Sequence, residues 1–501
     1  MKQIVMLPLD ERPCNYDYPK MMPNADYSLL IPPKTLMGDK KRPGDMEGIK
    51  NWLLENIDGA DCCILSLDTL IYGGIVPSRL HEEKVEVLLE RAKTVELLRE
   101  KNPKMKFYVF QLIMRCPDYS LSDEEPDYYD FSGRDLHLYG RYTHLEQTGS
   151  LTETDKQDFN RIKEILPSEV LEDFIGRRKK NLQVLIENLR YVKDGTVDFF
   201  IVPQDDAAVY GFTSMDQILV RKYLKENFLH MKTAMYPSAD DTGLILLGRA
   251  VSELNGGRPR IYVHYASTKA ESVVPWFEDR PLGETIKYHI LSVGGQQVYS
   301  LPEADIVLAV NMGSEMLNVS DGGYVKAYDV ERNLAEFTAF IRYALEQKKI
   351  VSIGDVAGCN GSDGELLHLL QKEDLLLKIH AYAGWNTSSN TLGTTICQAV
   401  LYYFGRDEWG RKSFLLHRYY EDMGYMGYVR KYIIDNVLPG MGLNNFRVDG
   451  KKGKVAKMIR KELIKYMTEN FPELAAEVET VEIEQPWNRM FETDVKLKIK
   501  K

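Results

Sequence analysis

Short apolar runs recur along the chain, and each ends in polar residues. They are IVMLPLDERP (4–13), CCILSLDTLIYGG (62–74), FYVFQLIMR (107–115), FFIVPQDD (199–206), IYVHYAS (261–267), DIVLAVNMG (305–313) and IVSIGDVAG (350–358). Runs rich in β-branched and aromatic residues, without polar alternation, are what a parallel sheet covered by helices on both faces requires. The intervening segments supply those helices. In HEEKVEVLLERAKTVELLREK (81–101), Val85, Leu88, Ala92, Val95 and Leu98 recur at three- and four-residue spacing with charges between them. RRKKNLQVLIENLRYV (177–192) and LAEFTAFIRYALEQKK (334–349) repeat the pattern. The expected fold class is therefore α/β with a mostly parallel sheet.

The order of these units leaves closure of the sheet open. Those before residue 210, with a further strand expected in KTAMYPSADD (232–241), suit the start of a (β/α)8 barrel, placed at residues 1–257. Residues 258–400 carry further β/α units that either complete the barrel or form a separate doubly wound domain. After 401 the texture changes to aromatic-rich helices, and VETVEIEQPWNRMFETDVKLKIK alternates like an antiparallel pair. Residues 401–501 thus read as a small C-terminal α+β appendage. The acidic SDEEPDYYD (122–130) reads as a flexible loop near the third strand.

Composition removes several function classes. With 64 basic against 74 acidic residues and a net charge of -10, the chain lacks the basic excess that a nucleic-acid partner demands. No run approaches the ~18 uninterrupted apolar residues of a membrane span. Asp10 and Glu11 break the N-terminal apolar run too early for a signal peptide. The cysteines at 14, 62, 63, 116, 359 and 397 form no CxxC pair and read as reduced, mostly buried thiols, so a cytoplasmic location is expected. VGGQQ (293–297) and GDVAGCNGSDG (354–364) match neither GxGxxG nor GxxxxGK, which argues against a nucleotide. The 9 histidines form no HExxH or HxH, so no zinc site is expected. Nothing in the sequence sets the oligomeric state.

What remains is the set of polar residues just after the strands: Asp10, Glu11 and Arg12; Asp68, Tyr72 and Arg79; Arg115; Asp205 and Asp206; Asp240 and Asp241; Asn311; Asp355, Asn360 and Asp363; Trp385, Asn386 and Asn390. Parallel strands bring such ends to one edge, where carboxylates, amides, arginines and aromatics would form a rim suited to a small carbohydrate. A single Asp after a strand is explained by helix capping. The doubled Asp205–Asp206 is not, because one residue suffices for a cap. Two close carboxyls ionise unequally, leaving one acid and one anion near neutrality, as glycosidic-bond cleavage requires.

The QDDA stretch is similar to the adjacent acidic pair of β-N-acetylhexosaminidases and O-GlcNAcases. That resemblance implies that Asp205 polarises the substrate's acetamido group and Asp206 protonates the leaving oxygen. A wider resemblance, carried by LPLDERPCN, LDTLIYGGIVPSR, VPQDDA, AGWNTSSNTLG and PWNRMFE, is to a bacterial domain-of-unknown-function family of about this length; it implies no reaction. The expected function is a glycoside hydrolase acting on small oligosaccharides or glycosides, with Asp205 and Asp206 catalytic and no cofactor. Asp10, Arg12, Asp68, Tyr72, Arg115, Asp240, Asp241, Asp355, Asn360, Trp385, Asn386 and Asn390 would bind substrate. The alternatives are a metal-dependent hydrolase holding Mg or Mn in the aspartate cluster, and a non-catalytic carbohydrate-binding protein.

Overall fold

The computed structural model describes residues 1–316 and 325–500. The apolar runs become strands, and all pairs within the two large sheets are parallel. β1 (Lys2–Leu7), β2 (Tyr27–Leu30), β3 (Cys62–Ser66), β4 (Lys106–Phe110), β5 (Phe199–Gln204) and β6 (Thr233–Pro237) form a sheet of order β2-β1-β3-β4-β5-β6. β7 (Arg260–Tyr265), β8 (Gln296–Val298), β9 (Ile306–Asn311), β10 (Ile350–Asp355) and β11 (Ala381–Ala383) form another, of order β11-β10-β9-β7-β8. β1, β3, β5, β9 and β10 are buried or nearly so along their length, which is why they read as unbroken apolar runs.

Neither sheet closes. A (β/α)8 barrel needs strands that neighbour one another in chain order, whereas β1 pairs with both β2 and β3, so the sheet grows outward from an interior first strand. β2 and β6 remain its two edges. Read from β8, the second sheet has the same plan: its first strand, β7, lies between its second and third, β8 and β9. Both are doubly wound sheets of 2-1-3-4-5 type, and the first is extended by β6. The chain divides accordingly into two compact units. One comprises Met1–Glu11, Tyr27–Gly243 and Phe277–Arg280; the other comprises Arg12–Asp26, Leu244–Trp276 and the chain from Pro281 onward.

In the second unit, residues after 401 share a core with the sheet. Val307 and Ile353 of the strands, Phe337 and Leu367 of the crossover helices, and Leu415, Tyr419, Leu463, Ile483 and Val495 belong to one buried cluster. The C-terminal pair β12 (Val478–Glu484) and β13 (Asp494–Ile499) is antiparallel.

In the first unit, the crossover from β4 to β5 is expanded into the helices Tyr129–Gln147, Glu153–Ile165 and Ser168–Asn188. These have their own core of Tyr129, Leu136, Phe159, Ile162 and Phe174, with Phe212. Arg178 donates to the Met114 carbonyl, and Asn181 donates to the Ser78 carbonyl at 2.8 Å. The insertion is thereby tied to the segments that follow β3 and β4.

The β3 end is set by a short helix, Leu67–Tyr72, capped by the Ser66 hydroxyl accepting from Thr69 N at 3.2 Å. It ends at Gly73, whose φ of 87° is left-handed. The Gly73 carbonyl accepts from Gly44 N at 2.9 Å, and a Cβ at Gly73 would lie 2.7 Å from both Gly44 N and Pro43 Cβ. Gly73→Ala is expected to destabilise the protein by about 2 kcal/mol or more, combining left-handed strain with overpacking. The check is a lowered urea midpoint; an unchanged midpoint would contradict this account of the turn.

Candidate active site

Consecutive side chains on a strand face opposite ways, so Asp205 and Asp206 can serve one crevice only if the chain turns at β5's end. It does: Asp206 has a φ of 47°, a left-handed conformation that Asp tolerates better than most residues. The two carboxylates then take their closest bonds from different arginines, although Arg115 also lies 3.8 Å from Asp205. Arg79 Nη2 donates to Asp205 Oδ2 at 2.8 Å, and Arg115 Nη1 donates to Asp206 Oδ2 at 3.2 Å.

The same arginines are bound by the SDEEPDYYD segment. Arg79 Nη1 reaches Glu124 Oε2 and Glu125 Oε1, both at 3.2 Å. Arg115 donates from Nε to Glu125 Oε1 at 2.7 Å and from Nη2 to Glu124 Oε2 at 3.2 Å, while Tyr119 takes a further bond at 2.8 Å. This corrects the reading of 122–130 as a flexible loop, because Glu125 is wholly buried and joins both guanidiniums. The physical reason was available in the sequence. An arginine such as Arg115, directly after an apolar strand, needs a carboxylate partner if it is buried, and Glu124 and Glu125 lie within ten residues of it in the chain.

Asp68, 2 % exposed, approaches from the β3 side and accepts from Leu112 N at 2.9 Å. Burial pushes its carboxyl up to about 7; the Leu112 amide and Arg79 oppose the rise, and Asp205 adds to it. Asp205 is raised to about 6 by burial and then by the negative charge of Asp206, against the pull of Arg115 and Arg79. Asp206 is raised by burial, opposed by the same arginines. Asp68, Tyr72, Arg79, Gln111, Arg115 and Asp205 line a cavity of ≈ 10 Å³.

Other expected residues of this unit sit nearby on the same sheet edge. Asp240 follows β6, and its charge contributes to raising Asp205. Asp241 closes the turn after β6, accepting from the Ser238 hydroxyl at 2.6 Å and from Ala239 N at 3.3 Å. Asp10 is buried just beyond β1.

The remaining expected residues belong to the second unit. There Asp355 is held by Asn311 Nδ2 at 2.9 Å, the Tyr382 hydroxyl at 2.8 Å and Asp363 N at 2.8 Å. Burial, then the neighbouring Asp363, raises it to about 7. Arg332 binds Asp363 and, at 3.1 Å, Asn311 Oδ1. Asn360 and Asn386 are both left-handed, and Asn360 N donates to the Asn386 carbonyl at 2.9 Å. Trp385 is 3 % exposed, gives its Nε1 proton to Thr394 Oγ1 at 3.1 Å, and meets Tyr18 edge-on. Asn390 is buried in the first turn of the helix that follows. Arg12 lies 3.8 Å from Glu492 and over the Trp487 ring, an ion-paired corner. Sequence reasoning put all these residues on one rim, whereas the structure distributes them over two sheets. Tyr382, Arg332 and the two glutamates were not singled out; a buried arginine's need for partners is the signal that finds the glutamates.

The fold and this crevice define a doubly wound α/β protein with a carboxylate–guanidinium site beyond β3, β4 and β5. Residues 4–496 match the family described as Protein of unknown function (DUF4127), and the chain belongs to that family. A comparison with curated proteins returns no match. Among the described residues, no helix is long and apolar enough to cross a membrane.

Asp68 binds its proton more tightly in the folded chain than in the unfolded one. Stability therefore falls as pH rises from about 4 to about 7, where the folded state still holds a proton that the unfolded state has released. The shift of about three units corresponds to about 4 kcal/mol. Asp68→Asn keeps an oxygen for Leu112 N and removes the titration. Its thermal midpoint should fall less than the wild type's between pH 5 and pH 8. Parallel declines would show that Asp68 is not the group responsible.

Proposed function

We propose that the protein is a glycoside hydrolase acting on small glycosides or oligosaccharides, with Asp206 as general acid. The observation that carries this reading is the adjacent carboxyl pair at the end of β5, turned apart by the left-handed Asp206. Asp205 faces the cavity shared with Asp68, and Asp206, which is not part of that lining, pairs with Arg115, which is. A carboxyl raised by burial keeps its proton nearer neutrality, which is what protonating a poor leaving oxygen requires. Asp240 and Tyr119 add hydroxyl-binding groups around the pair. Two routes to the anomeric carbon are open to such a pair: a substrate acetamido group oriented by Asp205, or a water molecule.

A magnesium- or manganese-dependent hydrolase is less well supported. Among the described residues, no three His, Cys, Asp or Glu side chains form a metal-holding group. Arg79 and Arg115 already neutralise the carboxylates that would ligate a cation.

The test is a panel of aryl glycosides with and without chelator. Turnover is expected in both conditions. Asp206→Asn should lower kcat by about 10²–10⁴-fold for poor leaving groups, and far less for a dinitrophenyl aglycone that departs without a proton. Full activity of both Asp205→Asn and Asp206→Asn toward a substrate that the wild type cleaves would sink the assignment. Activity lost to chelator would favour the metal reading, and thermal stabilisation by a sugar without turnover would favour a binding protein.

A further inference from the structure

The small cavity beside Asp205 is the right size for one water molecule. Its volume of ≈ 10 Å³ is close to the ~10–15 Å³ that a single water requires, and such a site must also be polar. Its lining meets that condition with Asp68, Tyr72, Arg79, Gln111, Arg115 and Asp205. Tyr72 is 3 % exposed, and no geometrically complete hydrogen bond reaches its hydroxyl; the Gln111 side chain is its polar neighbour. A buried hydroxyl in this state costs about 1–3 kcal/mol unless something in the cavity bonds to it. A water there would bond to Tyr72 and to either carboxylate.

Resting on the glycosidase reading, we propose that this cavity holds the attacking water, that Asp68 is the base that deprotonates it, and that hydrolysis therefore inverts the anomeric configuration. The water oxygen forms a bond to the anomeric carbon as the bond from that carbon to the leaving oxygen breaks, its electron pair staying with that oxygen. The proton lost by water passes to the Asp68 carboxylate, and the Asp206 carboxyl proton passes to the leaving oxygen. One water is consumed, and exchange with solvent restores both carboxyls. The charged groups facing Asp68 are Arg79, which favours its anion, and Asp205, which opposes it. Burial raises Asp68 to about 7, so the base is ionised only as pH rises past neutrality.

The experiment uses the aryl glycoside that the wild-type protein cleaves best, with the configuration of the first-formed sugar followed by proton NMR. Inversion is expected. Asp68→Asn should lower kcat by about 10²–10⁴-fold with little change for the dinitrophenyl leaving group's relative advantage. Azide should restore part of the turnover and yield an inverted glycosyl azide. Tyr72→Phe, which removes only the hydroxyl, should lower kcat about tenfold, and it remains informative if Asp68→Asn does not fold. Retention by the wild type, or unchanged kcat in both variants, overturns this proposal while leaving the glycosidase reading intact. A wild-type protein that cleaves no member of the panel overturns both.

Discussion

Two buried guanidiniums hold the first unit's crevice together. Arg79 and Arg115 are nearly inaccessible, with side chains 3 % and 11 % exposed, and between them they bind carboxylates from β5's end and from the SDEEPDYYD segment. Desolvating charges on this scale is costly, and only mutual pairing with full hydrogen bonding offsets it. The pairing forces three sequence-distant stretches into register: the turn after the Leu67–Tyr72 helix, the end of β4, and the turn after β5. The carboxylates still outnumber the guanidiniums. Burial drives Asp68, Asp205 and Asp206 toward their protonated forms, and the excess of neighbouring carboxylates adds to it.

The second unit uses a carboxylate at a strand end differently. Asp355 ends an interior parallel strand, as Asp205 follows one, and Asp355 is wholly buried. Its oxygens are taken up by an amide, a phenol and a backbone N–H, and Arg332 is turned to Asp363 instead. A carboxylate so thoroughly bonded stiffens the loops after β9, β10 and β11. The sheet order is shared by the two units, and the first leaves carboxyls beside a cavity. Shared topology therefore places polar groups at a sheet edge without deciding what they do there.

The strands were legible because fully buried parallel strands carry no competing polar positions; β1, β3, β4, β5, β6, β7, β9 and β10 each coincide with an apolar run. β2, β8 and β11 escaped notice because they span only four, three and three residues, too few for any pattern to stand out. Closure was not legible either. Whether edges meet depends on which strands pair, and no single run states its neighbour; the pairing of β1 with β3 alone decides for an open sheet. The separation of Asp10 from Arg12 into different units has the same origin. The Asp205–Asp206 doubling was visible, yet its second partner shell was hidden in a segment whose charge density looks like solvent-exposed loop. Charge density predicts exposure only when no buried cation lies within reach.

The left-handed backbone at Asp206 ties these strands of reasoning to chemistry. Were the chain to continue in extended form past Gln204, Asp205 and Asp206 would face opposite sides of the sheet, and one would be lost into the helical layer. Were it to turn in the ordinary right-handed region, the chain would begin a helix and the second carboxylate would be drawn into capping. The positive φ avoids both outcomes. It sends Asp205 to Arg79 and the cavity, sends Asp206 to Arg115, and keeps the two close enough for the Asp206 charge to raise the proton affinity of Asp205. The cost of about 1 kcal/mol for a non-glycine residue in that region is small against the ion pairs it permits. A substitution that relaxed the turn would therefore disturb both arginines together, because the pair binds both.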